Sequence, residues 1–456
     1  MSVRPVAFWG MLALLGLSGC ANFSADGGRD AVAAMTLVRT GASTLPGAAV
    51  VADLLAKPLS ADAAVQVALL NNRDLQASLA ELGVAEADLV QAGRLRNPGF
   101  SFGRTRGGND VEIDRAVIFD LVGLLSIPLK TKIEAARFEQ AKLQAASSAV
   151  NLAIATRRAY FNAVAAQQTD RFMAQVQESA DASAELARRM ARVGNWSKLE
   201  ASREQLFYAE TTAQLARARH NVVAAREQLT RSLGLWGSEL NYVLPDRLPE
   251  LPATLKSMND VEAQAMQQRL DVQMMRREAQ SSAGALGLTK ASRFINVLHA
   301  GYTNRSETDK ARVNGYEVEL ELPLFDWSGA NIAKAESLYM QSVHRTAATA
   351  IRARSEVRES YSAYRTSYDL ARHYRDEIVP LRKRISEEML LRYNGMLASV
   401  FDLLADAREQ VQGVNASIEA QRDYWLAETD LQMAINGNGG SALQLQGKAP
   451  VQGKEH

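Results

Sequence analysis

The sequence predicts a mainly α fold with a small β portion, in which long antiparallel coiled helices carry short strands. Three observations predict it. Stretches such as ANIAKAESLYMQSVHR are free of proline and glycine and rich in Ala, Lys and Glu, residues that lose little freedom in a helix. Between them lie short runs of period two. In YEVELEL, Tyr316, Val318, Leu320 and Leu322 fall on one strand face and Glu317, Glu319 and Glu321 on the other. Finally, the switch from strand to helix occurs twice in the same order, with Pro128 in the earlier copy standing where Pro323 closes the later strand. That is an internal two-fold sequence repeat.

Composition agrees. The 456 residues carry 52 Lys plus Arg against 51 Asp plus Glu, so no global attraction to nucleic acid is implied. Aromatic residues make up 6%, a balance that suits packed helices better than a thick globular core. The single cysteine, Cys20, excludes a disulfide framework and a thiolate metal cluster.

In chain order, Arg4 precedes the apolar run VAFWGMLALLGL, which is too short for a stable membrane span and has the flanks of a secretory signal. Leu17-Ser18-Gly19-Cys20 resembles a bacterial lipobox, which implies a signal peptide over 1–19 and a lipid on Cys20. Ala21 in the next position favours the outer membrane by resemblance to lipoprotein sorting rules. The alternative is a plain signal peptide that ends near a cysteine. Residues 20–57, with Gly27, Gly28, Gly41, Pro46 and Gly47, read as an extended, weakly structured tether.

The first repeat spans 58–240. Ser60 is the expected N-cap of a helix that ends before Asn97-Pro98-Gly99. A strand pair over 99–122 follows, joined by Gly107-Gly108-Asn109-Asp110. In its second strand Glu112 and Asp114 alternate with Val111 and Ile113. A long helix over 130–192 reaches about 90 Å at 1.5 Å per residue, and a returning helix covers 197–233. A Pro-rich linker occupies 241–257. The second repeat, 258–436, sets Leu270-Asp271-Val272 in the place of Arg73-Asp74-Leu75. It continues with a strand pair at 293–323, a long helix at 332–393 broken in sequence only by Pro380, and a returning helix at 399–435. Residues 437–456 read as a flexible tail. If the two shorter helices of each repeat stack end to end alongside the long one, each chain makes four columns.

This order of elements, with the junctions Ser126-Ile127-Pro128-Leu129 and Leu322-Pro323-Leu324-Phe325 and the Arg392-Tyr393 turn before Asp402, resembles the TolC-type outer membrane factors, the exit ducts of tripartite efflux pumps and type I secretion systems. The resemblance covers roughly residues 60 to 436. It implies a homotrimer in which four strands per chain close a 12-stranded transmembrane β-barrel and the helices form an α-barrel across the periplasm. Physical reasoning asks for closure too, because an open sheet in lipid leaves edge backbone groups unpaired.

With Tyr316 and Val318 toward lipid, Glu317, Glu319, Glu321, Glu112 and Asp114 are expected in the barrel lumen, either as acidic levels favouring cations or as plain solvation of a wet interior. The resemblance further implies a periplasmic gate at the helix turns, with Asp402 at a ring position, Glu200 at its equivalent in the first repeat, and Tyr393 tying neighbouring helices. Met396 stands where the family usually has glycine, Ala405 where a second acidic ring can occur, and Ala398 where a basic residue can link helices. The other reading of Asp402 and Glu200 is that they are charges favoured at helix starts.

The five histidines, at 220, 299, 344, 373 and 456, make no zincin-type spacing, and Met274-Met275, Met389 and Met396 read as packing residues. Phosphate loops and nucleophile elbows are absent from the sequence, so no enzyme is expected, and no cofactor beyond the covalent lipid. The expected function is a passive outer-membrane duct for drugs or heavy-metal ions, working with a periplasmic adaptor and an inner-membrane pump of the resistance-nodulation-division type. A poreless periplasmic structural or adaptor protein and a type I secretion duct are the alternatives.

Overall fold

The computed structural model describes residues 22–44, 48–255, 260–291, 298–320 and 327–437. Cys20 and the signal segment, Glu321, Pro323 and the tail from 438 lie outside the described residues.

The tether expectation is corrected. Helix α1 (Arg29–Thr40) and helix α2 (Ala48–Leu55) occupy most of it. Gly27 and Gly28 take φ of +61° and +78° to turn into α1, Asp26 accepts the Asp30 N–H at 3.0 Å, and Val32, Ala33 and Thr36 are buried. Glycine here punctuates a helix rather than dissolving it.

The expected single helix after Ser60 is two helices, α3 (Ala61–Asn71) and α4 (Arg73–Ala92). Ser60 caps the first, its Oγ accepting the Ala63 N–H at 3.1 Å. Asn72 breaks the ladder with ψ at 122° and caps α4 by accepting the Leu75 N–H on Oδ1 at 3.1 Å. Strands β1 (Gly99–Gly107) and β2 (Asp110–Asp120) form a hairpin.

Pro128 does not mark the end of a strand. Helix α5 (Leu121–Arg192) starts directly after β2, with Pro128 inside it, so neither the strand end at 122 nor the helix start at 130 holds. Asp120 caps the new start, its Oδ1 accepting the Gly123 N–H at 2.7 Å. The proline then forfeits one bond to Leu124, and helix-forming leucines on both sides carry the helix through. Helix α6 (Lys198–Leu233) runs to Gly234, and a 3-10 turn (Gly237–Asn241) opens the linker. The linker is pinned rather than free: Tyr242, Leu244, Leu248 and Leu251 are buried, and the Pro249 carbonyl accepts from Gln421 Nε2 and Trp425 Nε1.

The second half follows the same order, with α7 (Val261–Gln268), α8 (Leu270–Ala291), β3 (Leu298–Glu307) and β4 (Val313–Leu320). The long helix expected over 332–393 is not continuous. It is α9 (Gly329–His373), a π turn (Tyr374–Ile378) and α10 (Val379–Asn394). Pro380 cannot donate to the carbonyl four residues back, and the wider turn, in which Val379 N–H bonds Tyr374 O, absorbs the mismatch. Helix α11 (Val400–Asn436) returns.

The chain divides into two compact units. One comprises the described residues of Met1–Ala31, Ser78–Ala145 and Val272–Thr349, and it contains an antiparallel sheet of order β1-β2-β3-β4. The other comprises those of Val32–Ala77, Ala146–Asp271 and Ala350–His456. Its core joins α3, α5 and α6 through Val67, Phe161, Val164, Leu229 and Leu233. A second cluster gathers Val357, Tyr364, Tyr368, Tyr424 and Leu431. Phe161 stacks on Trp425 at 5.2 Å. Along α5 the buried Ala180, Ala184 and Ala187 recur at helical spacing, so backbones approach closely along a small-residue seam.

Arg269, at the α7–α8 break, is fully buried. Its Nε and Nη2 fork onto Asp271 at 3.0 and 2.7 Å, Nη2 also reaches Glu356 at 2.8 Å, and Nη1 donates to Ala434 O at 3.0 Å. A buried guanidinium is tolerated because every face is met by a charge or a carbonyl.

Candidate functional site

Two places collect the residues singled out in the sequence, the sheet and the helix turns at the starts of α6 and α11. In the sheet, strand register decides which side chains share a face. Asp114 lies opposite Arg305, Ala116 opposite Thr303, and Thr303 opposite Gly315. Glu112 pairs with Glu307, Gly301 with Glu317, and His299 with both Asp120 and Glu319. Glu112, Asp114, Glu317 and Glu319 therefore share one polar face with Ser101 and Thr105 of β1. The opposite face carries the row Phe100, Val117, Tyr302 and Tyr316. Its tyrosine rings meet edge to face at 5.9 Å. Phe100, Tyr316 and Val318 are exposed on it, which a sheet wet on both sides does not need.

The polar face is not a bare acidic ladder. Arg305 Nε lies 3.0 Å from Glu112 and 2.8 Å from Asp114, and His299 Nδ1 lies 3.0 Å from Glu319 Oε2. Sequence reasoning missed Arg305 because NVLHAGYTNRSE alternates too weakly to assign a face; the register of β2 on β3 is what places it. Among the described residues, no strand covers the outer edge of β1 or of β4.

At the turns, both predicted carboxylates are helix caps. Glu200 Oε2 accepts the Ser197 N–H at 2.6 Å while Ser197 Oγ accepts the Glu200 N–H at 3.2 Å. Asp402 Oδ2 takes the Ser399 N–H at 2.9 Å and its hydroxyl at 2.7 Å. Each is a reciprocal capping box. The Ser197 backbone and hydroxyl hold the Glu200 carboxyl below the usual range, and the Ser399 hydroxyl and backbone do the same for Asp402. Tyr393 sits in the last turn of α10, its carbonyl accepting the Met396 N–H at 3.0 Å. Met396 adopts φ +60°, and in the other turn Gly194 adopts +78°. The position where glycine is usual thus needs the left-handed conformation, and Met396 holds it under strain. Trp196 and Phe401 bring the two turns together, with ring centroids 4.9 Å apart.

Sequence reasoning missed a further polar contact behind the turns. Glu204, 2% exposed, accepts from Ser183 Oγ at 2.9 Å and Arg408 Nη2 at 2.8 Å, while the Arg408 guanidinium lies over Phe207 at 4.5 Å. The signal lay in spacing. Glu204 falls in the buried stripe Ala201, Glu204, Thr211, Leu215, Ala218, where a lone carboxylate needs a cation.

Among the described residues, no group of three or more His, Cys, Asp or Glu side chains could hold a metal ion. No described helix is long and apolar enough to cross a membrane, which bears on helices and not on a β-barrel.

No family model and no curated protein matches the chain. Solved structures do. The CmeC outer membrane channel of Campylobacter jejuni superposes with a TM-score of 0.71 at 17% identity, over 83% of this chain and 85% of that one. The outer membrane protein VceC of Vibrio cholerae gives 0.68 at 14% identity, over 83% and 96%. The open-state MtrE outer membrane channel of Neisseria gonorrhoeae gives 0.66 at 15% identity, over 82% and 88%. At these identities the shared property is the fold, and this chain has the fold of a bacterial outer membrane channel.

Proposed function

We propose that this protein is the outer-membrane exit duct of a tripartite efflux system. Three copies pair β4 of one chain with β1 of the next into a closed 12-stranded barrel, and the helices continue the conduit through the periplasm. The observation that carries the reading is the sheet itself: among the described residues it has one polar face, an opposite face on which an aromatic and aliphatic band (Phe100, Val117, Tyr302, Tyr316, Val318) sits beside a polar end with Arg104, Arg115 and Asn304, and two open edges, in a chain with an outer-membrane-channel fold. Closure by association satisfies the edges in lipid, and the polar face then lines a wet lumen. The poreless alternative leaves that apolar band in water.

In this reading, Glu112, Asp114, Glu317 and Glu319 face the lumen. Arg305 tempers their charge, so cation preference is modest. Three copies each of Asp402 and Glu200 ring the periplasmic gate, fixed as anions by their capping boxes and backed by the Glu204–Arg408 contact. Tyr393 and Met396 lie at the turn that moves when the gate opens. Cys20 carries the lipid. A periplasmic adaptor docks at the turns, and a pump of the resistance-nodulation-division type supplies the energy. The solutes are small toxic compounds, drugs or heavy-metal ions.

The test is the susceptibility of a clean deletion strain, with a complemented control, across copper, silver, zinc, cobalt, hydrophobic drugs, dyes and bile salts. Restored resistance to any of these supports the duct. Unchanged susceptibility to all of them, with the protein demonstrably made in the parent, overturns it.

A further inference from the structure

Beside the point where the described chain begins, α4 and α5 line an open-sided cavity of about 540 Å³. Leu89, Val90, Ile127, Ala135 and Phe138 form its apolar walls, and Asn22 and Ser24 stand at its rim. Asn22 is two residues beyond Cys20.

The approach to this cavity is built. Ser24 donates both its N–H and its hydroxyl to Glu86 Oε1, each at 2.5 Å, and Glu86 is 5% exposed. Gly28 then passes so close to α5 that a Cβ on it would lie 2.9 Å from the Phe138 ring and 3.0 Å from Lys142 Cδ. Its φ of +78° is one that only glycine takes at low cost. Lys142 in turn lies over the Phe138 ring at 4.9 Å. The chain between residues 22 and 28 is thereby held against α4 and α5, and its direction at Asn22 is fixed.

We infer that the cavity is the seat of the lipid on Cys20: at least one acyl chain of the modified cysteine lies between α4 and α5, against Leu89, Val90, Ile127 and Phe138. The occupant is set by the chain itself. Two residues span at most about 7 Å of extended backbone, so a lipid attached at Cys20 starts within reach of the cavity that Asn22 and Ser24 line. An apolar wall gains with each CH2 it buries, whereas a headgroup alone gains little there. The cavity also lies near the sheet, since α4 ends at Ala92 before β1 starts at Gly99, and Ile127 follows the end of β2 at Asp120. The remaining lipid can therefore reach a bilayer that the sheet spans. The Ser24–Glu86 latch then acts as a register device that orients the sheet-bearing unit relative to its own anchor.

This inference rests on the lipobox reading, and the experiment separates the two. The full-length protein is produced in cells fed a diazirine-bearing fatty acid, irradiated in membranes, purified and analysed by intact mass and peptide mapping. The expected result is a lipidated mass, with photo-adducts on peptides containing residues 86–93 or 127–138. Leu89→Trp and Ala135→Trp, which fill the cavity, lose those adducts while the lipidated mass and far-UV circular dichroism stay unchanged. Glu86→Ala, which frees Ser24, scatters them to other peptides. A lipidated protein whose adducts fall only on free phospholipid or on a neighbouring copy overturns the seat but keeps the lipid. Adducts on the same peptides that persist in Cys20→Ala assign the cavity to a free phospholipid chain and overturn the proposal. An unlipidated mass overturns the lipobox reading and the seat with it.

Discussion

The helix breaks at Asn72 and at Arg269 have the same backbone and opposite chemistry. Asn72 sits at φ −66° and ψ 122°, Arg269 at φ −61° and ψ 125°. Each side chain donates to a carbonyl in the last turn of the returning helix of its own half, Asn72 to Ser232 at 3.2 Å and Arg269 to Ala434 at 3.0 Å. Each thereby satisfies a group that a helix end leaves orphaned. In the first half a small amide suffices because Gly234 lets the backbones touch: a Cβ there would lie 2.9 Å from Asn72 Cα. In the second half a long guanidinium fills the gap, and burying it requires Asp271 and Glu356. The comparison teaches that the fold demands the break, while the local spacing between helices decides whether an amide or an ion cluster stabilises it.

The sharpest way to break the comparison is Arg269→Ala. It removes the guanidinium from Asp271 and Glu356, which are 15% and 27% exposed, and should cost about 3 kcal/mol, the low end for a disrupted buried pair because the carboxylates retain some water. Chemical denaturation followed by circular dichroism checks it. Asn72→Ala removes a cap and one interhelical bond and should cost about 1 kcal/mol by the same measurement. A larger loss from Asn72 than from Arg269 would reverse the account of the two breaks.

The turns at Gly194 and Met396 form a second pair, with smaller effects. Gly194→Ala should destabilise by about 1 kcal/mol, because a Cβ is strained at positive φ. Met396→Gly should stabilise by about 0.5 kcal/mol, since relief of that strain exceeds the added freedom of the unfolded chain. Thermal unfolding of both variants reads the opposite signs directly.

The smallest expected effect is in pH. The folded-state pKa values of Glu200 and Asp402 are depressed below the ordinary 4.5 and 3.8. Their stabilisation is therefore fully present above those ordinary values and is lost as pH falls through the depressed ones. The difference in melting temperature between the wild type and the Glu200→Ala/Asp402→Ala double variant should shrink on acidification from neutrality to below that window. A difference that grows on acidification contradicts the capping role.

Much of this was legible in the sequence because local chemistry and fold agreed. The alternation at Tyr316–Glu319, the Gly108 turn and the serine cap at Ser60 each follow from one residue's own preference. What stayed hidden depended on distant partners. Neither Asn-Arg nor Arg-Leu reads as a helix breaker, and both breaks are fixed by returning helices over a hundred residues away in sequence. Pro128 misled in the other direction: a residue that normally ends an element lies inside a helix that the cap at Asp120 had already started and that the flanking leucines carry through. Arg305 and Arg408 could not be assigned roles until register and helix pairing put Asp114 and Glu204 beside them.

The central claim, that copies of this chain close their sheets into a pore gated at the helix turns, is tested most directly by single-channel recording of the purified protein in planar bilayers under a salt gradient. The account predicts discrete channels with a modest cation preference that rises in Arg305→Ala, and a higher conductance in Glu204→Ala, which loosens the helices behind the turns. A folded protein that inserts no channels at any concentration, or channels whose selectivity and conductance are unmoved by both substitutions, would contradict it.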